Sequence, residues 1–335
     1  LDHAFHPCII FSICLSYRDF LFSAVQTQQD QPIKTVPRTV FLRSFLYNKI
    51  MKKLAIMSDL HIDSNQFGQA EIDILIQTLQ EEEVVHLHLA GDISNQHERA
   101  SLPFLERLRQ HLDVSYNLGN HDMLGLDEAQ IEAENFQLLD IGDRQLLAFH
   151  GWYDYSFSDE AYDRILRRKN LWFDRRLNRR KSDQEIVERE LKVLESQLQT
   201  LDRDRLILAM HFVPHRRFTM WHEKFAPFNA FLGSQAFHEL FVRYQIPDVV
   251  FGHAHRSYGT VEIDGVRYHA RPLGYQREWD LTIDFVNQNP HLNPSQTWNL
   301  SKRFNLVKNN PHYQAHKKEK FKDELLGSMT LFEVG

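Results

Sequence analysis

The sequence predicts an α/β layered fold with a partly parallel sheet, starting near Met51. Two observations carry that reading. Strand-length apolar runs alternate with amphipathic helical stripes from residue 51 onward, and alternation of this kind implies helices packed on a sheet. Short clusters of histidine, aspartate and asparagine then follow the predicted strands, where open α/β sheets place their ligands.

The elements come in order. Leu54–Met57 is an apolar strand, and Ile72, Leu75, Ile76 and Leu79 recur at i, i+3, i+4, i+7, the stripe of an amphipathic helix. Val84–Leu89 is a second strand, and Leu102, Leu105, Leu108 and Leu112 mark a second helix. Val114–Leu118, Gln145–Phe149, Leu206–Met210 and Asp248–Phe251 are further strands. Residues 160–204 interrupt the rhythm and predict a helical insertion. Ser182 with Glu185 forms a capping box there, ahead of a stripe through Val187, Leu191, Leu194, Leu198 and Leu201. Arg164 to Lys181 carries nine basic residues against one acidic one, a run that could bind a polyanion but is more often a solvated face.

Residues 1–50 read differently. The apolar run Cys8–Leu15 is too short to span a bilayer and lacks the basic flank of a signal peptide. Translation is expected to start at Met51, leaving 1–50 as an extension outside a domain of residues 51–335. Net charge is −6, which gives no global attraction to nucleic acid or an anionic membrane. The only cysteines are Cys8 and Cys14, so residues 51–335 hold neither a disulfide nor a thiolate metal site. Histidine, with 19 copies, is the more telling residue.

Five clusters follow predicted strands: Asp59-Leu60-His61, Gly91-Asp92, Gly119-Asn120-His121-Asp122, His211, and Gly252-His253-Ala254-His255. Carboxylate, imidazole and amide oxygen together suit Mn, Fe or Zn. Seven such ligands exceed one tetrahedral ion and fit two divalent ions sharing a carboxylate. Glycines before Asp92, Asn120 and His253 are expected to let the chain turn sharply at the ligand. His86 and His88 share a strand face and read as core histidines, since no carboxylate partner is apparent. Pro214 argues against a helix joining His211 to His215. Tyr153, His215 and Arg216 are candidate substrate contacts, Arg216 because a guanidinium matches phosphate geometry.

The set D-x-H, G-D, G-N-H-D, lone His and G-H-x-H, in that order, resembles the calcineurin-like metallophosphoesterase superfamily. Gly151–Ser156, Trp172–Arg176, His211–Arg216 and Arg271–Tyr275 look like a group of uncharacterised phosphoesterases from Gram-positive bacteria. The resemblance implies a four-layer α/β/β/α sandwich. It implies one metal held by Asp59, His61 and His255, a second by Asn120, His211 and His253, and Asp92 bridging both. An activated hydroxide would attack a phosphomonoester or phosphodiester, while His121 serves the leaving oxygen and Asp122 orients His121. Many members carry an acid three residues after the bridging aspartate; here that position is Asn95. A cytoplasmic enzyme acting on a small phosphorylated substrate is the expectation. A nuclease served by the basic run, or a non-catalytic scaffold, are the alternatives; the presence of His121 with all seven ligands disfavours the scaffold.

Overall fold

The computed structural model describes residues 52–335. The expected extension 1–50 and both cysteines lie outside the described residues.

Two sheets form the body. In the first, β1 (Lys52–Met57), β2 (Val84–Ala90) and β3 (Asp113–Asn117) run parallel, and β10 (Thr330–Val334) pairs antiparallel with β1. In the second, β5 (Arg144–Phe149), β6 (Leu206–Met210), β7 (Asp248–Phe251) and β9 (Val266–Ala270) run parallel. Two antiparallel edge strands, β4 (Gln137–Ile141) and β8 (Gly259–Ile263), complete the order β4-β5-β6-β7-β9-β8.

Side chains alternate across a strand, and here both faces are covered, so the central strands read as continuous apolar runs. Leu54 and Ile56 of β1 meet Leu146, Ala148, Ile207, Ala209 and Val250 between the sheets. Their neighbours Ala55, Met57, Leu147, Phe149, Leu208 and Met210 face outward, into a core capped by helices. Truncating one of these, Leu208→Ala for example, removes packing worth about 2–5 kcal/mol.

On the outer faces, α1 (Gln69–Glu81) buries Leu75, Ile76 and Leu79, and α2 (Leu102–Arg109) buries Phe104, Leu105 and Leu108. A short helix, α3 (Glu128–Ala133), precedes β4. Between β5 and β6 lie α4 (Tyr162–Lys169), a 3₁₀ turn at Phe173–Arg176, and α5 (Asp183–Leu198). The start of α5 is closed by Ser182 Oγ accepting from the Glu185 amide at 3.3 Å, while Glu185 accepts from the Ser182 amide at 2.8 Å. Helices α6 (Gln235–Tyr244), α7 (Asp280–Gln288), α8 (Leu300–Val307) and α9 (Pro311–Gly327) complete the covering. The result is the α/β/β/α layering expected.

His86 and His88 face the inter-sheet side of β2, across from β3. Ser115 Oγ lies 2.7 Å from His86 Nε2 and 2.8 Å from His88 Nδ1, and Asn117 Oδ1 lies 3.0 Å from His88 Nε2. Asn117 Nδ2 donates to the Leu118 carbonyl, so its Oδ1 is free to accept. One proton arrangement satisfies the whole chain: His86 donates to Ser115, Ser115 to His88, and His88 to Asn117. These histidines are packing groups that tie β2 to β3.

Candidate metal centre

All seven expected ligands sit just beyond strand C-termini, and the two sheets share them. Asp59 and His61 follow β1, Asp92 follows β2 and Asn120 follows β3. His211 follows β6, and His253 and His255 follow β7. The backbone there is unusual. Asp59, His61, Asp92, His253 and His255 all have positive φ, between 41° and 65°. Residues with a Cβ adopt that region at a cost of order 1–3 kcal/mol each, and such strain gathers at functional sites. The glycines serve space more than turning. Only Gly91 among the three has a left-handed φ, 86°. A Cβ at Gly119 would lie 2.1 Å from Asp92 Oδ1, and one at Gly252 would lie 2.3 Å from Asp59 Oδ2.

The side chains converge in two groups. Asp59, His61, Asp92 and His255 present ligand atoms within 4.8 Å of one another, and so do Asp92, His211 and His253. Asp92 belongs to both. Its Oδ1 accepts the His121 amide at 2.9 Å and lies 3.4 Å from His211 Nε2. Its Oδ2 is buried without a hydrogen-bond partner, 3.7 Å from His61 Nε2. A buried carboxylate oxygen with no donor is costly, and a cation among these ligands would satisfy it. Asn120 Oδ1 faces the same space, 3.2 Å from His211 Nε2. The donor set is oxygen and imidazole nitrogen, which suits divalent Mn, Fe or Zn.

Partners behind the ligands hold them in place. Glu278 Oε2 accepts from His255 Nδ1 at 3.0 Å, leaving Nε2 pointed at Asp59 Oδ1, 3.2 Å away. His211 Nδ1 bonds the Ala90 carbonyl at 3.1 Å, and His253 Nε2 bonds the Phe231 carbonyl at 3.2 Å. Asp174 Oδ1 accepts from Asn120 Nδ2 at 2.7 Å, which turns the amide oxygen inward. Carboxylates and carbonyls behind ligating histidines fix ring tautomer and orientation. The electrostatics follow. Burial opposes charge on His211 and His255, yet Asp92 raises the first to about 9, and Glu278 with Asp59 raises the second to about 10. Burial would raise Asp59, but the hydrogen bond and charge of His255 bring it down to about 2.

Glu278 and Asp174 escape sequence reading for different reasons. Glu278 lies 23 residues beyond His255 with no pattern linking them. Asp174 did carry a signal: it is the lone acid in the basic run, and it is buried.

His121 lines the mouth of the cluster, with Nε2 3.9 Å from Asp92 Oδ2. Asp122 does not orient it, contrary to expectation. The Asp122 carboxylate is turned away and accepts the amides of Ile93, Ser94 and Gly119, each at 3.0 Å, locking the loops after β2 and β3 together. Asn95 takes the orienting place: its Oδ1 lies 2.8 Å from His121 Nδ1, and its Nδ2 donates to Asp63 at 3.0 Å. Phe173 stacks on the His121 ring with centroids 3.8 Å apart. On the other wall Tyr275 stacks on His61 at 4.3 Å.

The three candidate substrate contacts are placed elsewhere. Tyr153 is fully buried among Trp152, Phe212 and Phe231, so it lines no open pocket. Arg216 reaches the Ser156 carbonyl and Asp159. His215 packs edge-on against His238, 4.4 Å between centroids. Four of the nine basic residues of the run are paired: Arg167 with Asp163, Arg168 with Glu160, Lys169 with Asp183, and Arg179 with Glu128.

This fold and ligand set define a metal-dependent phosphoester hydrolase. The family model for calcineurin-like phosphoesterases matches residues 52–257, and the chain belongs to that family. Among solved structures it is similar to phosphopantetheinyl hydrolase from Mycobacterium tuberculosis, at 19% identity and TM-score 0.55, covering 68% of this chain and 92% of that one. A purple acid phosphatase from yellow lupin (Lupinus luteus) seeds matches at 13% identity and TM-score 0.41, covering 66% of this chain and 43% of that one. A phosphatase from Mycoplasma pneumoniae matches at 13% identity and TM-score 0.37, covering 66% and 72%. No curated protein matches. No helix among the described residues is long and apolar enough to cross a membrane.

Proposed function

We propose that the chain hydrolyses a small phosphorylated substrate in the cytoplasm, a phosphomonoester or phosphodiester, using two divalent ions. The observation that carries this reading is the Asp92 carboxylate, common to both ligand groups and with one buried oxygen left unpartnered. Asp59, His61 and His255 would hold one ion, Asn120, His211 and His253 the other, and Asp92 both. Such a pair supplies Lewis-acid neutralisation of phosphate charge and lowers the pKa of water towards about 7.

The chain's own residues do the rest. Asn95 and Phe173 hold His121 with its Nε2 at the mouth of the site. From there His121 donates a proton to, or a hydrogen bond at, the leaving oxygen. The near-complete burial of Asp59, His61 and Asp92 keeps bulk water from competing for the ligands. A net charge of −6 gives no global attraction to a nucleic-acid substrate, and four of the nine basic residues of the run are already paired.

Elemental analysis of protein purified without chelator tests the ion count, with about two per chain expected. Asp92→Ala should lose both ions together. Full retention of one ion in that variant would remove Asp92 from the shared position, and finding neither bound metal nor activation by added Mn would sink the reading.

A further inference from the structure

A polar cavity adjoins the metal cluster, separated from it by a single ring. Its volume is about 770 Å³, and its walls include Tyr275, Gln276, Arg277, Lys308, Gln314 and Lys317. Tyr275 belongs to both places. One face of its ring covers His61, and the Arg277 guanidinium lies 4.1 Å from its centroid. The sequence His61, Tyr275, Arg277 therefore leads from a candidate ligand to a fixed cation at the cavity wall in two contacts.

The charge balance in the cavity is positive. Lys317 is answered by Glu71 at 3.2 Å. Arg277 Nε meets Glu278 Oε1 at 3.2 Å, but Glu278 Oε2 is already taken by His255 Nδ1 and the Tyr275 amide. Lys308, exposed at the end of α8, has no carboxylate within ion-pair distance among the described residues. Neither terminal nitrogen of Arg277 has a hydrogen-bond partner among them. The remaining lining is mostly carboxamide and hydroxyl, with Phe304 the main apolar exception. A wall of this kind suits a hydrated anion rather than an acyl chain, and a guanidinium with free terminal nitrogens matches phosphate or carboxylate.

We infer that the substrate carries a second anionic group, a phosphate or carboxylate beyond its scissile phosphate, seated between Arg277 and Lys308. The inference rests on the phosphoesterase reading above for the position of the scissile group. The cavity then selects among phosphoesters: the cluster takes one phosphate, and the neighbouring cations reward a substrate that carries a second anion.

Paired non-hydrolysable probes test this on the Mn-loaded full chain. Hexane-1,6-bisphosphonate and hexylphosphonate have the same chain and differ only in the second anion. Calorimetric titration should show the bisphosphonate binding at least tenfold tighter, with the preference shrinking as salt rises. Lys308→Glu and Arg277→Gln should each reduce that affinity ratio at least fivefold. Lys308 is exposed, so its variant remains informative if Arg277→Gln fails to fold. A carboxylate-ended analogue, 6-phosphonohexanoate, separates the two anions: a ratio restored by both means charge alone is read, and one restored by the bisphosphonate only means phosphate geometry is read. Equal affinity of wild type for the bisphosphonate and hexylphosphonate overturns the proposal, as does a ratio that survives in Lys308→Glu. Turnover of hexyl phosphate and hexane-1,6-diol bisphosphate is measured alongside. Absent turnover of both, and of a chromogenic phosphodiester, with an intact binding ratio would refute the phosphoesterase reading and leave the anion site standing.

Discussion

Asn95 and Asp122 exchange the places that adjacency in sequence suggests. Asp122 follows His121 directly, but neighbouring side chains in a tight turn diverge, and this carboxylate closes on three backbone amides instead. Asn95 arrives from the loop after β2 and meets His121 Nδ1. An amide cannot share a proton with the ring as a carboxylate can, so Asn95 positions the imidazole through a single acceptor. His121→Ala is expected to keep its metal content and lose roughly 10²–10⁴ in kcat. Asn95→Ala should lose less, roughly 10–100-fold, again with metal retained. Full turnover in His121→Ala would take that ring out of the mechanism. Asp174→Ala probes a ligand's support: the Asn120 Nδ2 loses its carboxylate acceptor there. Metal affinity should fall roughly 10–100-fold, read by competition with a chelator. An unchanged affinity would show that Asn120 needs no such anchor. The candidate ligands were legible in the sequence because each stands directly after an apolar strand. Asn95 stood out only as a departure from the family pattern and Asp174 only as the lone acid of the basic run; their contacts, and all of Glu278's role, were hidden because they span 26, 54 and 23 residues and no periodicity reports them.

The strands show the same division at the scale of elements. β1, β2, β5, β6 and β7 are largely buried on both faces, so their apolar runs announce them. β4 and β8 are edge strands with alternating exposed positions, and β10 returns from the far end of the chain to pair with β1; none has a run long enough to stand out. His86 and His88 were recognisable as core residues by their shared face, while the serine and asparagine that satisfy them became visible only once β2 and β3 were in register. This polar strip predicts a pH response. Burial holds His88 down at about 3, against 6.5 when exposed. Above pH 6.5 the ring is neutral whether folded or unfolded and contributes no slope. As pH falls from about 6.5 towards 3, the unfolded chain binds a proton that the folded chain refuses. Stability should therefore drop by about 1.4 kcal/mol per pH unit from this one site. Chemical unfolding between pH 7 and pH 4 should show a shallower decline in His88→Gln, whose amide does not titrate, than in the parent. Parallel declines would mean His88 protonates freely in the folded state.

Across the whole molecule, the ligands divide between the two sheets. Asp59, His61, Asp92 and Asn120 extend from the four-stranded sheet, and His211, His253 and His255 from the six-stranded one. The segment beyond residue 257, outside the family match, completes both sheets with β8, β9 and β10 and supplies Tyr275 and Glu278 to the site. An ion shared by these ligands would add a link between two layers that apolar packing and hydrogen bonds such as His211 Nδ1 to the Ala90 carbonyl already join. It would also offset the strain of the five left-handed candidate ligands and satisfy the unpartnered Asp92 oxygen. Metal should therefore stabilise the whole fold and not the loops alone, because both sheets must be in place for the ligands to meet. Binding to the native state alone adds about 2.7 kcal/mol when free metal stands at 100 times its dissociation constant. At the size of this domain that corresponds to a rise of several degrees in Tm, since about 2–4 °C accompanies each kcal/mol. Thermal unfolding of chelator-stripped protein with increasing Mn should show a single transition moving upward, followed both by far-ultraviolet and by aromatic signals. In Asp92→Ala the shift should shrink to a small fraction of that, even though the variant relieves a buried charge and so need not be unstable itself. A Tm indifferent to Mn in the parent, or an equal shift in the variant, would mean that the ligand cluster does not join the sheets through a bound ion.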